Sequence, residues 1–347
     1  MQSNRNVNID LLRIISALFI VFIHVTPDFS PDNNGTLPSL FINPLVKSGL
    51  TIFFIMSGYF VLNGKEESVL SFYRKRAVST LIPFVVFSFM HYTYFHQWDV
   101  NPYGFQWFLN YVKAMLIGAP ANFGREYFMS GLYWFVYAII GVYLMSPLFR
   151  KAISFINEEN ALKALSILVL FYVVYYTLSM SSPVSGISEN ILQLPESSKW
   201  VFYFVTGGII FRVKKTFNFK FLILFSFIFY LLVMLTYRGM FDGAWYSKSW
   251  VDANPAMFLL SISLFMAFRS LKIKSNGKLI TYFASLTYGT YLIHITMLSF
   301  ISELSRGIFN NYLLNIVATS TSVFVSSMIV AALVNKIIVD RLIRLLR

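Results

Sequence analysis

The chain has no cysteine, and only 12% of its residues are charged. The first absence excludes disulfides, thiolate metal sites and a cysteine nucleophile, although it does not identify a compartment. The second excludes an ordinary soluble domain, in which about a quarter of the residues are charged. Histidine is scarce too, with four in 347 residues. These are scattered and no paired carboxylate cluster accompanies them, so no metal site is expected. Internal repeats and low-complexity segments are also missing. What fills the chain is apolar: 57% hydrophobic residues, 37 Phe, 21 Tyr and a mean hydropathy of +0.64. That composition is one of an integral membrane protein.

A membrane-spanning helix needs roughly 20 mostly apolar residues. Ten stretches qualify, at about 9–27, 39–62, 77–96, 129–148, 161–179, 199–213, 218–237, 255–269, 280–300 and 311–335, the sixth and eighth being short. A helical segment at 105–118 is too short to span and is expected to lie at the membrane interface. The expected fold is therefore all-α, a polytopic transmembrane helix bundle of about ten spanning helices with both termini cytoplasmic. It forms a single domain over 1–347 with no soluble domain. With that topology about 20 of the 28 Lys and Arg residues fall on the cytoplasmic side. This positive-inside asymmetry accounts for the net charge of +13, and no nucleic-acid partner is expected. The first stretch is not a cleaved signal peptide, because Arg13 interrupts its apolar run and no A-x-A-like site follows.

That first stretch, "DLLRIISALFIVFIHV" from Asp10 to Val25, carries three polar side chains. Arg13 and His24 are 11 residues apart, close to three helical turns, which puts them on nearly one face and roughly 16 Å apart along the axis. Asp10 precedes Arg13 by three residues and can pair with it. An ionisable side chain within a span costs free energy and marks a functional site by default. The alternative is a structural pair near one interface with His24 as a cap near the other.

Five stretches in order carry a family resemblance. The Arg-x10-His pattern of the first helix is one. "FFIMSGYF" (Phe53 to Phe60), "SFYRKRAVSTLIPFVV" (Ser71 to Val86), "LYWFVYAIIGVYLMSPLF" (Leu132 to Phe149) and "SLTYGTYLIHI" (Ser285 to Ile295) are the others. Together they resemble the acyltransferase family 3 membrane proteins over most of the chain. One departure is Ile14, where many members have Gly directly after the arginine. The resemblance implies a membrane O-acyltransferase of the bacterial cytoplasmic (inner) membrane. It would move an acyl group, most commonly acetyl, from cytoplasmic acyl-CoA to a hydroxyl of a cell-envelope glycan or lipid-linked sugar. Acetyl-CoA is the implied donor, and no metal is implied. Membrane lipids are the remaining partners.

The resemblance implies roles at named positions. His24 would act as general base, since an imidazole titrates near neutrality and a sugar hydroxyl needs its proton removed. An acyl-His intermediate is the other route. Arg13 would orient the donor or stabilise negative charge, and Asp10 would hold Arg13. His294 would be a second catalytic imidazole. Arg74 and Arg76, with Lys75, would hold the coenzyme A phosphates, which suit guanidinium groups. The bland reading of that cluster is a set of contacts to lipid headgroups. Ser57 and Gly58 would border the donor arm, although Gly58 also fits a close approach by a neighbouring helix. Ser285, Tyr288, Tyr291 and His294 recur every three residues on one helix face, with Tyr288 towards the donor and Tyr291 towards the acceptor. Trp134 and Tyr137 would stack on a sugar, or belong to an interfacial aromatic belt. His91 and His96 lack a pattern and read as interfacial polar residues.

The runner-up reading is a multi-pass transporter or an export subunit for an envelope polysaccharide or its precursor. Transporters of that kind often show two related halves, and none is visible here. The expected topology has a direct check. A fluorescent reporter that folds only in the cytosol, fused after residue 347, should light up. A reporter active only outside the cytosol should stay silent there, and the reverse pattern would invert the topology.

Overall fold

The structure, a computed structural model, describes residues 6–26, 37–99, 101–117, 129–180, 194–195, 197–241, 248–271, 273, 277–305 and 311–346. Among these residues every regular element is a helix. In chain order they are α1 (Val7–Val25), α2 (Leu37–Val46), α3 (Ser48–Val61), α4 (Val69–His96), α5 (Phe105–Ile117), α6 (Met129–Ser154) and α7 (Glu158–Met180). Next come α8 (Ser198–Arg212), α9 (Phe219–Phe241), a 3₁₀ turn (Lys248–Ala253), α10 (Pro255–Ser270), α11 (Lys278–Ser305) and α12 (Tyr312–Val334). A π-helical turn (Asn335–Val339) then leads into α13 (Asp340–Leu346).

All ten stretches expected to span are helical, and seven segments are long and apolar enough to cross a membrane. The other three fall short for identifiable reasons. Helices α8 and α10 have 15 and 16 residues. Helix α11 has 28, but its Thr, Tyr, Ser and His residues keep its hydropathy down. The stretch at 39–62 is broken at Lys47 into α2 and α3. The separation is slight, since Lys47 keeps a helical backbone and its N–H donates to the Asn43 carbonyl at 3.0 Å. Ser48 Oγ then donates to the Leu45 carbonyl at 2.6 Å, and the chain restarts as α3. Many large apolar side chains point outward, among them Leu170, Phe221, Leu235 and Ile329. Hydrocarbon tolerates such a surface and water does not.

The chain packs as two compact units. The first comprises Met1–Lys65, Met145–Ala284 and Asn311–Ile316. Its centre is the packing of α3 against α8, flanked by α1, α7 and α10. That crossing is closed by a reciprocal pair of glycines. A Cβ on Gly58 would overlap the Phe204 carbonyl oxygen of α8, and one on Gly207 would overlap the Ile55 carbonyl oxygen of α3. Small residues let the two backbones touch, as is common where helices cannot rely on a hydrophobic drive. Gly49 likewise admits the Ser16 carbonyl of α1, 2.7 Å from where a Cβ would stand. Asn6 caps α1 by accepting from the Asn8 N–H at 3.1 Å, and the Asn8 side chain ties this end to the Leu271 carbonyl at 2.5 Å. Asn254 caps α10 in the same way, with Pro255 at the first helical position.

The second unit comprises Glu66–Leu144, Ser285–Asn310 and Val317–Arg347. Its axis is α4, which begins eight residues earlier than the expected span and so takes the basic cluster into its first turns. Ser68 caps it, accepting from the Ser71 N–H at 3.2 Å. Thr80, Phe84, Phe87, Ser88 and His91 recur at short helical steps and form its buried stripe. Helix α11 lies close by, with Gly289 facing Phe87 and Ala331. Helix α5 is fastened to α4 by Trp107 Nε1, which donates to the His96 carbonyl at 3.1 Å, and by Tyr111 against Ser88 at 3.1 Å. Its exposed Phe105 and Leu116 suit the interfacial position expected of it.

The glycine crossing gives a stability prediction. Gly58→Ala should cost about 1–3 kcal/mol through overpacking, read as a lowered thermal midpoint of the detergent-solubilised protein. Gly141→Ala has nothing within 4 Å to strike and should leave the midpoint unchanged or raised. Equal behaviour of the two variants would show that α3 and α8 do not depend on a close crossing.

Candidate functional site

In the first unit the polar residues of α1 take up a definite arrangement. The Arg13 guanidinium is 3.6 Å from the Asp10 carboxylate, with the two side chains 24% and 2% exposed. Asp10 also accepts from the Thr281 hydroxyl at 3.1 Å. Across from it, Arg13 lies over the Phe60 ring of α3 at 5.6 Å. The buried carboxylate thus has both a cation and a hydroxyl donor beside it, which offsets part of the cost of burying it. The buried residues of α1 are Ile9, Asp10, Leu12, Ser16, Ala17, Ile20 and Val21. At 100° per residue, Arg13 and His24 both lie within about 30° of the centre of that buried face. Yet His24 is exposed and Arg13 only half-buried. Their openness is therefore on the side of the helix that packs, opposite to the face expected to meet lipid.

Ser57 is half-buried on α3, and Gly58 is buried. The close approach that Gly58 allows is made by the backbone of α8, which fills the place of a side chain there. At the far end of this unit Asp252, Lys47 and Lys199 form a second charged group. Burial pushes the Asp252 carboxyl up, and the charges of Lys199 and Lys47 pull it down.

In the second unit the basic trio lines a cavity of about 610 Å³ with Ser71, Val78, Ser79 and Leu346. The three cations differ in their surroundings. Lys75 is held by Glu67 at 2.6 Å. The Arg76 guanidinium lies over the Phe72 ring at 5.5 Å and the Tyr143 ring at 5.7 Å. Arg74 is exposed and donates from Nη2 to the Leu346 carbonyl at 3.2 Å.

Further along the same unit, α11 carries the tyrosine–histidine series. Ser285 is exposed, Tyr288 half-buried, and Tyr291 and His294 buried, so the shared face turns progressively inward. The Tyr288 hydroxyl donates to the Thr80 carbonyl of α4 at 3.0 Å. The His294 Nδ1–H donates to the Tyr291 carbonyl at 2.5 Å. That bond selects the tautomer in which Nε2 of the neutral ring carries the lone pair. Tyr291 packs edge-on against Phe135 at 5.4 Å. Trp134 and Tyr137 are half-buried on α6, and the Tyr137 hydroxyl donates to the Met115 carbonyl of α5 at 2.5 Å. The ring of Tyr137 thus has a fixed pose, and its hydroxyl is already used.

Two residues carry more than their sequence context indicates. His91 is buried, with Nδ1 2.8 Å from the Thr296 hydroxyl of α11 and its ring against Tyr133. Tyr133 stands at a kink in α6 and donates to the Leu292 carbonyl at 2.9 Å. His96 is buried as well, bonded to Asp99 at 2.7 Å. A signal for His91 was present in the sequence, since it continues the Thr80, Phe84, Phe87, Ser88 stripe. Nothing local marks Tyr133, whose partner is 159 residues away. No His, Cys, Asp or Glu group suited to a metal occurs among the described residues.

The Asp10–Arg13 pair can be tested by a double-mutant cycle. Asp10→Ala should destabilise the protein by about 1–3 kcal/mol, because it removes the buried carboxylate 3.6 Å from the guanidinium. Adding Arg13→Ala should recover part of that loss, giving a coupling of about 1 kcal/mol in thermal unfolding. Additive losses would show that the pair is not coupled.

Comparison with known proteins gives these features a context. A family model described as an acyltransferase domain, that of acyltransferase family 3, matches residues 6–336, nearly the whole chain. No curated protein and no solved structure matches it.

Proposed function

The chain belongs to acyltransferase family 3, and from that premise we propose that it transfers an acyl group, acetyl by preference, from acyl-CoA to a hydroxyl of a cell-envelope glycan or lipid-linked sugar. The family supports acyl transfer to a hydroxyl within a membrane. The observation that carries the choice of donor is the cavity at the start of α4, where Arg74, Lys75 and Arg76 meet two serines. Coenzyme A ends in phosphates, and planar guanidinium groups bind phosphate bidentately. Arg74 and Arg76 take that role. Lys75, engaged by Glu67, contributes field more than contact.

The chemistry needs a base, a path for one proton and stabilisation of negative charge. The acceptor oxygen attacks the thioester carbonyl carbon while its proton passes to the imidazole of His24. The carbon–sulfur bond then breaks, and the departing thiolate takes up that proton, leaving ester and free thiol. His24 suits this step because it is open on the packed side of α1. Arg13, fixed by Asp10, supplies a positive charge on the same face. His294 is the second imidazole, and its Nδ1–H bond to Tyr291 leaves Nε2 as the proton-accepting atom. Attack by an imidazole on the thioester, with an acyl-His intermediate, is the other route through the same groups. Trp134 offers a ring face to a sugar, and the buried Tyr291 backs it through Phe135. The seven apolar helices fit an integral membrane protein, and a cytosolic donor fits a bacterial cytoplasmic membrane.

With labelled acetyl-CoA and isolated envelope glycans, His24→Ala should lower transfer by about 10²-fold or more while coenzyme A binding persists. Paired Arg74→Ala and Arg76→Ala should raise KM for the donor about tenfold with a much smaller change in kcat. Mass spectrometry of the glycans should show the added acyl mass only with the unaltered chain. Normal transfer by the His24 variant would sink the base assignment.

A further inference from the structure

The family match ends at residue 336, the second residue of the π-helical turn Asn335–Val339. The tail beyond that point nonetheless reaches the basic cavity. Leu346 lines it, and the Leu346 carbonyl accepts from Arg74 at 3.2 Å. Both the π-turn and α13 pack against α4. The apolar segment Tyr312–Leu346 runs for 35 residues. At 1.5 Å per residue that is about 52 Å, against roughly 30 Å of hydrocarbon, so its end projects beyond the apolar layer.

Two features make the seat of α13 weak. The helix has no buried residue, so little apolar burial is lost if it lifts away. A π-turn, wider than an α-turn and often found at functional sites, separates it from α12 and gives a place for the chain to rearrange. The bond to Arg74 is itself exchangeable. A guanidinium makes one bond to this neutral carbonyl, whereas a phosphate offers it opposite charge and a bidentate pair of bonds.

We propose that residues 337–346, which lie outside the matched family domain, form a cap on the donor cavity that holds Arg74 through the Leu346 carbonyl and is displaced when a donor phosphate takes the guanidinium. The cap rests on the donor reading above. It makes the tail a determinant of donor affinity, because binding requires the uncapped state. The apparent dissociation constant then rises as the inverse of the uncapped fraction.

The test uses the full chain in detergent, a variant lacking 340–347 and Arg74→Ala, with free coenzyme A and inorganic pyrophosphate as probes. Hydrogen exchange of the 340–346 amides and binding isotherms are the readouts. Coenzyme A should speed exchange in α13, and the deletion should bind it about three- to tenfold tighter than the full chain. In the Arg74→Ala background the deletion should bring no such gain. Unchanged or slowed exchange in α13 on coenzyme A binding, or weaker binding by the deletion, overturns the cap while leaving the donor reading in place. If coenzyme A does not bind at all while pyrophosphate binds and loosens α13, the cap stands and the donor assignment falls. If neither probe loosens it, the cap is wrong.

Discussion

A guanidinium placed within an apolar layer costs about 2.5–3.5 kcal/mol on insertion scales, and Arg13 is tolerated because Asp10 lies 3.6 Å away on the preceding turn. The arrangement around this pair follows from that need. Asp10 is buried and satisfied by both Arg13 and Thr281. Arg13 in turn leans on the Phe60 ring. The same helix face then carries His24 three turns on, open where its neighbours are buried. One helix therefore presents a fixed positive charge and an accessible imidazole to the packed side of its unit.

Glycine has a separate task beside it. Helices α3 and α8 touch backbone to backbone because Gly58 and Gly207 each leave a side chain out. This contact anchors α3, and with it the Phe60 ring that Arg13 leans on. The glycine that sequence reasoning could assign either to a donor arm or to a neighbouring helix is committed to the helix. Ser57, one residue earlier and half-buried, is left as the group on that turn able to face a ligand.

The second unit separates its cations by their partners. Three adjacent basic residues look equivalent on paper, yet Glu67 holds Lys75, two aromatic rings face Arg76, and the Leu346 carbonyl receives Arg74. The arginine that faces the cavity most openly is also tied to a segment outside the family domain. On α11, a backbone carbonyl one turn earlier fixes the tautomer of His294. In both places the geometry of a hydrogen bond, rather than the identity of the residue, sets what the side chain can do.

Much of this architecture is legible in the residues themselves. Apolar runs locate all ten helical stretches, because a lipid-facing helix has to be apolar over its length whatever its neighbours are. The 11-residue interval between Arg13 and His24 puts both on one face, since helical periodicity is a local property. The three-residue interval predicts the Asp10 pairing in the same way. The turn residue at Lys47 is less visible, because its backbone angles stay helical and only the ladder of hydrogen bonds lapses there. The burial of His91 escapes a reading by motif, although its stripe is there to count. Sequence alone thus determined the helical class, the polar face of α1 and the basic start of α4, all of which arise from residues within a few turns of one another. Only tertiary structure decided that Gly58 meets Phe204, that Tyr133 reaches Leu292 and that Leu346 returns to Arg74. Each of those joins residues far apart in the chain, and which helices touch is settled by packing shape and hydrogen-bond reach, which no local pattern encodes.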